Sequence, residues 1–276
     1  MRMRLDRWLT TLGVCSRSEG KEWIRKGAVR VNGVPARDPG QSVETEADIL
    51  QVRDRQIDGR IVRHVMLHKP AGILTAARDR KQKTVMDLLP PEYASMGCMP
   101  VGRLDRDTTG LLILTCDGEM NHRLLAPGRH VDKVYIARVT GRLGEAEVQA
   151  FARGLELSDF TAQPALLEIL EQPGEETAAP SLPRDDREES RKEPGAVPFP
   201  QETPETEKET SLARVTVREG KFHQIKRMFS AVGHEVLTLH RQRFGPLTLD
   251  PALPEGSWRE LTAEELQALR TSAGME

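Results

Sequence analysis

The chain has 276 residues, 38% of them hydrophobic, and 22 glycines, an ordinary globular composition long enough for one large domain or two. Forty basic residues against 42 acidic ones give a net charge of −2, which taken as an average speaks against a nucleic-acid partner. No run approaches the roughly 20 apolar residues of a membrane span, and the charged first turns leave no place for a signal peptide. Cys15, Cys98 and Cys116 are too few and too scattered for a disulfide framework or a zinc cluster, so thiols in a reducing cytosol are expected.

In chain order, Leu5, Trp8, Leu9 and Leu12 fall at helical spacing, and Gly13 can end that helix. Ser16-Arg17-Ser18-Glu19 has capping-box spacing, so a second helix begins at Ser16 and runs through Trp23 and Ile24 to Gly27. Ala28–Val31, Asn32-Gly33 and Val34 onward spell a β-hairpin, since Asn-Gly tolerates the positive φ values of a type I′ turn. The second helix carries Arg17, Lys21, Arg25 and Lys26, a set that suits a phosphate-contacting face and equally a solvated one.

From about Val62 short β-rich runs alternate with loops and a few helices. Strands are expected at His64–Leu67, Leu111–Leu114, Val134–Val139, Ala165–Leu170 and Ala213–Arg218, and helices at Met120–Leu125, Glu145–Arg153, Gln224–Val232 and Ala263–Leu269. Several strands without intervening helices predict an α+β fold with a mixed, mainly antiparallel sheet. Residues 173–210 differ in composition: 38 residues hold 7 prolines and 11 acidic against 5 basic side chains. Such a segment buries too little apolar surface to offset its ordering entropy and reads as a disordered insertion. Setting aside its net −6 leaves the other 238 residues at +4. The positive excess is uneven, with net +6 over Met1–Arg37 and six basic against two acidic residues over Arg218–Arg243.

Three stretches carry candidate chemistry. Gly102-Arg103-Leu104-Asp105-Arg106-Asp107-Thr108-Thr109-Gly110 sets two aspartates between arginines and runs into an apolar strand. A carboxylate there can act as nucleophile or base while guanidinium groups keep it ionised, although a charged turn explains the spacing as well. A metal site ranks low, because no His or Glu lies at ligand spacing. Lys221-Phe222-His223-Gln224-Ile225-Lys226-Arg227-Met228-Phe229 places Lys226 and Arg227 at the start of a helix whose other face is apolar. Those cations suit a carboxylate or a phosphate, or merely water. Tyr135, in Lys133-Val134-Tyr135, is one of two tyrosines and is placed either to stack on a base or to fill the core.

Taken together and in this order, Gly102–Asp105 with Thr109–Leu112, Lys133-Val134-Tyr135 and His223–Phe229 resemble the RsuA-type pseudouridine synthases. Arg4–Leu9 through Gly33 resembles the S4 RNA-binding module that precedes the catalytic domain in that family, and His64–Gly72 resembles that domain's first strand, with Lys69-Pro70 at its turn. The likeness spans the chain apart from the insertion. It implies an S4-like RNA-binding domain over residues 1–58, with Arg4, Arg17, Lys21, Arg25 and Lys26 toward RNA. A catalytic domain would follow over 62–270, interrupted at 173–210. It further implies that Asp105 is the aspartate needed to break the uridine N-glycosidic bond, that Tyr135 lies against the flipped base, and that Lys226 pairs with Asp105, with Arg227 as the near alternative. Ile225 would pack beside the pocket and Arg103 help hold the flipped nucleotide, while Asp107 is the weaker of the two aspartates.

The implied reaction detaches uracil from C1′, rotates it and reattaches it through C5, and no cofactor and no metal are expected. The implied partner is ribosomal RNA or a ribosomal subunit assembly intermediate, with no membrane, in a cytoplasmic monomer. The Leu239–Gly245 and His122–Leu125 runs look closer to the small-subunit enzyme, which points to 16S rRNA and to uridine 516. A large-subunit 23S rRNA synthase of the same family and an rRNA-binding module without catalysis are the alternatives.

Overall fold

The computed structural model describes residues 1–129, 131–173 and 209–275. Strand β1 (Arg2–Arg4) leads into helix α1 (Leu5–Thr11), where the predicted stripe of Leu5, Trp8 and Leu9 is fully buried. Gly13 leaves at φ +68°, the left-handed conformation that commonly closes a helix. Helix α2 (Arg17–Arg25) starts on the Ser16–Glu19 capping box, both halves of which form. Strands β2 (Val29–Val31) and β3 (Val34–Pro35) join through Asn32 and Gly33 at φ 52° and 78°, as a type I′ turn requires. Strand β4 (Ser42–Glu44) pairs with β1, and β5 (Leu50–Val52) and β6 (Arg55–Ile57) complete a four-stranded sheet of order β3-β2-β5-β6. Trp8, Leu9, Ile24, Val29, Val43 and Leu50 form its core.

The second unit begins with β7 (His64–Lys69), α3 (Pro91–Ser95), β8 (Met99–Pro100), β9 (Thr109–Thr115), α4 (Gly118–Leu125) and β10 (Lys133–Thr140). It continues with α5 (Glu145–Arg153), β11 (Leu155–Glu156), β12 (Thr161–Ala162), β13 (Leu166–Glu171) and β14 (Thr210–Val217). Helix α6 (Gln224–Ala231), β15 (Val236–Phe244), β16 (Leu247–Thr248), β17 (Trp258–Glu260) and α7 (Ala263–Ser272) complete it. Nine strands form one sheet along the path β13-β14-β10-β15-β9-β7-β17, with β16 added to β15 and β8 to β9. Every pairing is antiparallel except β15 with β9, so the sheet is mixed and mainly antiparallel, as expected. Strands β7 and β9 read as unbroken apolar runs because both faces are covered. Val65, Leu67, Leu112 and Leu114 pack into the core of Phe151 and Phe229, while Met66, Leu111 and Ile113 face that of Phe244 and Leu269.

Two expectations need correction. Cys98 and Cys116 form a disulfide instead of remaining thiols, because the β8–β9 register sets Met99 opposite Thr115 and so brings the next positions together. Cys15 is free, and burial pushes its thiol pKa up. The nine-residue β15 was not anticipated, although it joins β10 to β9 at the centre of the sheet. The insertion expected over 173–210 lies outside the described residues except at its two ends; the strands flanking it, β13 and β14, are antiparallel neighbours. Among the described residues no helix is long and apolar enough to cross a membrane.

Candidate active site

The loop bearing Asp105 connects Gly102, at φ +75°, to β9, and it is held from behind by the turn that follows β7. Lys69 is wholly enclosed, and its Nζ donates to the backbone oxygens of Pro70 (2.9 Å), Arg106 (3.2 Å) and Thr108 (2.9 Å). Thr75 Oγ1 donates to Leu104 O at 2.8 Å and accepts from Leu104 N at 3.2 Å. Gly72 N donates to Arg106 O at 2.8 Å. Burial pushes the Lys69 ammonium down to about 8, with the nearby Asp107 and Asp105 opposing the shift. Where the loop enters the sheet, Gly110 lies at φ +105° opposite Arg241 of β15, and a Cβ there would sit 2.3 Å from Arg241 O. Glycine is required at this crossing.

Helix α6 brings its cations to this loop from more than 100 residues away. His223 precedes it in the left-handed conformation (φ 49°), and its Nε2 lies 3.5 Å from Asp105 Oδ1. Lys226 Nζ is 4.0 Å from Asp105 Oδ2 but donates to both oxygens of Asp107 at 2.6 Å. Lys226 is thus within ion-pair distance of Asp105, as expected, but its tighter contact is with Asp107, whose carboxyl it holds below the usual range. Asp107 is mostly exposed while Asp105 is 25% exposed, so the ammonium bridges a solvated carboxylate and an enclosed one. Arg227, the suggested alternative, turns away: it pairs with Asp159, donates to Ser158 Oγ at 3.1 Å and lies over the Phe160 ring. A helix turns about 100° per residue, so neighbours 226 and 227 cannot both face one carboxylate.

A cleft of about 50 Å³ surrounds Asp105, lined by Leu104, Thr108, Tyr135, Ile225 and Leu239 and bordered by Arg103 and His223. Tyr135, from β10, and Ile225, from α6, are both buried and form its walls. Arg103 is exposed at the mouth and makes no hydrogen bond or ion pair among the described residues. Beneath the preceding loop, Gln224 Nε2 donates to Glu219 Oε1 at 2.7 Å, and Gln163 N donates to the same oxygen at 2.7 Å. This arrangement combines a partly enclosed carboxylate, an adjacent cation, an aromatic wall and an apolar wall. It suits a flat ring lying against the tyrosine beside the carboxylate.

The basic residues of the first unit divide. Arg17 and Arg25 stand exposed on α2, and Lys21 is half-buried. Lys26 is held within the helix by Glu22. Arg4 forms a two-pronged pair with the fully buried Asp6 (3.0 and 3.1 Å), an arrangement that holds the Asp6 carboxyl below its usual range. Among the described residues no group of three or more His, Cys, Asp or Glu side chains is placed to hold a metal ion.

Several residues at the site were not legible as such. Lys69 carries its own signal, a lysine in an apolar strand before proline, but the acceptors are loop carbonyls that only folding supplies. Thr108 Oγ1 is buried beside the cleft without a partner among the described residues. Phe222 is 73% exposed and stacks on His223, with ring centroids 3.8 Å apart, an aromatic ring left in solvent.

Comparison with known proteins places this geometry in a family. Residues 63–231 match the RNA pseudouridylate synthase family, and residues 3–49 match the S4 domain. The ribosomal small subunit pseudouridine synthase A of Pseudomonas aeruginosa is 37% identical, with 96% of this chain and 99% of the relative covered. The ribosomal large subunit pseudouridine synthase B of Bacillus subtilis is 33% identical, with 98% and 96% covered. A crystal structure of a pseudouridylate synthase superposes with a TM-score of 0.57 at 30% identity, covering 97% of this chain and 99% of that one.

Proposed function

The chain belongs to the RNA pseudouridylate synthase family, with an S4 domain ahead of the synthase domain, and from that premise we propose that it isomerises a uridine of small-subunit 16S ribosomal RNA, uridine 516, with Asp105 as the catalytic carboxylate. The observation that carries the assignment of Asp105 is its position in the cleft between Tyr135 and Ile225, with Lys226 Nζ 4.0 Å and His223 Nε2 3.5 Å away. The small-subunit target is supported by the likeness of the Leu239–Gly245 and His122–Leu125 runs to the small-subunit enzyme. Residues 1–58 serve as the RNA-binding unit and 62–270 as the catalytic unit of a cytoplasmic monomer.

The uridine leaves its stack at a cost of a few kcal/mol, which stacking on Tyr135 and contacts to Arg103 offset. The C1′–N1 bond then breaks and a C1′–C5 bond forms; C5 loses its proton to solvent and N1 gains one. Asp105 either attacks C1′ or removes a sugar proton, and both routes use its carboxylate, beside which Lys226 Nζ stands at 4.0 Å. Ile225 supplies an apolar wall against which the freed uracil turns. Atoms rearrange within one nucleotide without net oxidation, so the chemistry calls for no cofactor.

The test is incubation with unmodified 16S and 23S rRNA fragments, with pseudouridine mapped by carbodiimide-dependent primer-extension stops. One stop at uridine 516 is expected; product on 23S alone moves the target, and no product on either overturns the reading. Asp105→Asn should abolish turnover while RNA affinity stays within about twofold, since the substitution keeps shape and removes the reacting charge. Retained activity would reassign the carboxylate.

A further inference from the structure

Beside the catalytic cleft lies a second cavity of about 380 Å³, and the two share Arg103, Tyr135, Glu219, Gly220 and Lys221. Its lining is partly apolar, with Leu124, Leu125, Val131 and Phe244, and partly cationic, with Lys133 and Arg241 both lying against the Phe244 ring. Arg241 is only 2% exposed. Its Nε donates to Leu111 O at 2.7 Å, its guanidinium lies over the Phe244 ring at 5.3 Å, and its Nη2 has no partner among the described residues. Lys133 Nζ donates to the carbonyls of Val131 (2.8 Å) and Arg218 (3.3 Å). Neither cation has a carboxylate within ion-pair distance among the described residues. Glu219, the acidic residue of the lining, is taken by Gln163 N, Gln224 Nε2 and Lys221, and the nearby Asp132 is taken by Arg218.

We propose that this cavity is a phosphodiester subsite, which takes a backbone phosphate adjoining the flipped uridine on Arg241, Lys133 and Arg103 and lays the flanking nucleotide against Leu124, Leu125 and Phe244. The inference rests on the functional reading above and adds a binding site to it. A buried arginine and a half-buried lysine without a paired carboxylate are costly, and an anion entering the cavity relieves both. Burial, reinforced by Arg241, pushes Lys133 down to about 8, which an entering phosphate would reverse. The arginine fork matches phosphate oxygens. The cavity is continuous with the cleft that holds the base, so the anion that arrives with that base is its own phosphodiester. Arg241 also lies opposite Gly110 in the β15–β9 register, so the anchor and the Asp105 loop meet at one strand crossing.

The test uses the full-length protein and a short RNA hairpin containing the target uridine, in which each flanking phosphodiester is replaced singly by a neutral methylphosphonate. With wild type, one linkage next to the target should raise KM and Kd by about tenfold or more while the others leave them unchanged. Lys133→Met and Arg241→Gln should weaken binding of the natural RNA by a similar factor, and that methylphosphonate should then cause no further loss. Equal tolerance at both flanking linkages, or losses that multiply in the variants, would overturn the subsite. Arg241 is buried and its variant can fail to fold; Lys133→Met, nearer the cavity mouth, then decides. A wild type that binds the hairpins but forms no pseudouridine refutes the enzymatic reading alone, because Kd with the same RNAs still scores the subsite.

Discussion

Lys69→Met tests whether a buried ammonium holds the Asp105 loop in place. Methionine nearly matches lysine in length and donates nothing, so the carbonyls of Pro70 and Thr108 lose a donor while Arg106 O keeps the Gly72 N–H at 2.8 Å. Two stranded buried carbonyls cost about 1–3 kcal/mol each. Against that stands the burial of the charge, which lowers the lysine from 10.5 to about 8, roughly 3 kcal/mol against the charged form. The two effects largely offset, and the expected loss of global stability is about 0–3 kcal/mol. Loop position has no such compensation: with Asp105 as the proposed catalytic carboxylate, a shift of about 1 Å should cost on the order of 100-fold in kcat. Urea unfolding and tritium release from C5-labelled uridine RNA measure the two quantities, with RNA affinity as a control. A variant whose kcat stays within about threefold of wild type would show that the tether does not position the loop. The pH sign follows from the same shift. Between about 8 and 10.5 the folded protein binds fewer protons at Lys69 than the unfolded chain, so stability rises with pH through that window. Lys133, also lowered to about 8, adds a similar rise; Lys69→Met should therefore lose only part of it.

Gly110→Ala should destabilise by roughly 3 kcal/mol or more, since its Cβ would overlap the Arg241 backbone and its φ is positive; an unchanged urea midpoint would contradict this. Lys226→Met removes the contact that holds the Asp107 carboxyl down, so Asp107 should titrate upward by NMR toward its ordinary 3.8. The wild type should lose that ion pair's stabilisation as pH falls below about 4, whereas the variant has none to lose. Charge reversal at the exposed Arg17 and Arg25 should weaken RNA binding and flatten its log–log salt dependence by about one for each phosphate contact removed; an unchanged slope would make that helix face a solvated one.

Much of the architecture was legible because its signals are satisfied locally. The Ser16–Glu19 box and the Asn32-Gly33 turn act within four residues, so α2 and the first hairpin fall where their sequences place them. The apolar runs of β7, β9 and β10 marked strands whatever their partners. The charge was legible too once divided, since an acidic insertion masks a basic body. Strand β15 hid because its register shifts against β10 break the alternation, and because its buried side chains include an arginine.

At the candidate site, the motifs singled out Asp105, Tyr135 and α6, which line one cleft, but contacts across more than 100 residues depend on how the sheet crosses. Folding alone decided that Lys226 grips Asp107 more closely than Asp105, that Arg227 faces Asp159, and that Cys98 meets Cys116. It likewise decided that Lys69 tethers the loop and that Arg241 lies buried without a carboxylate. Helix caps and tight turns are closed by neighbours in sequence, so the sequence by itself determines them. The partner of a charge on a loop depends on which strands lie side by side, and only the tertiary structure determines that.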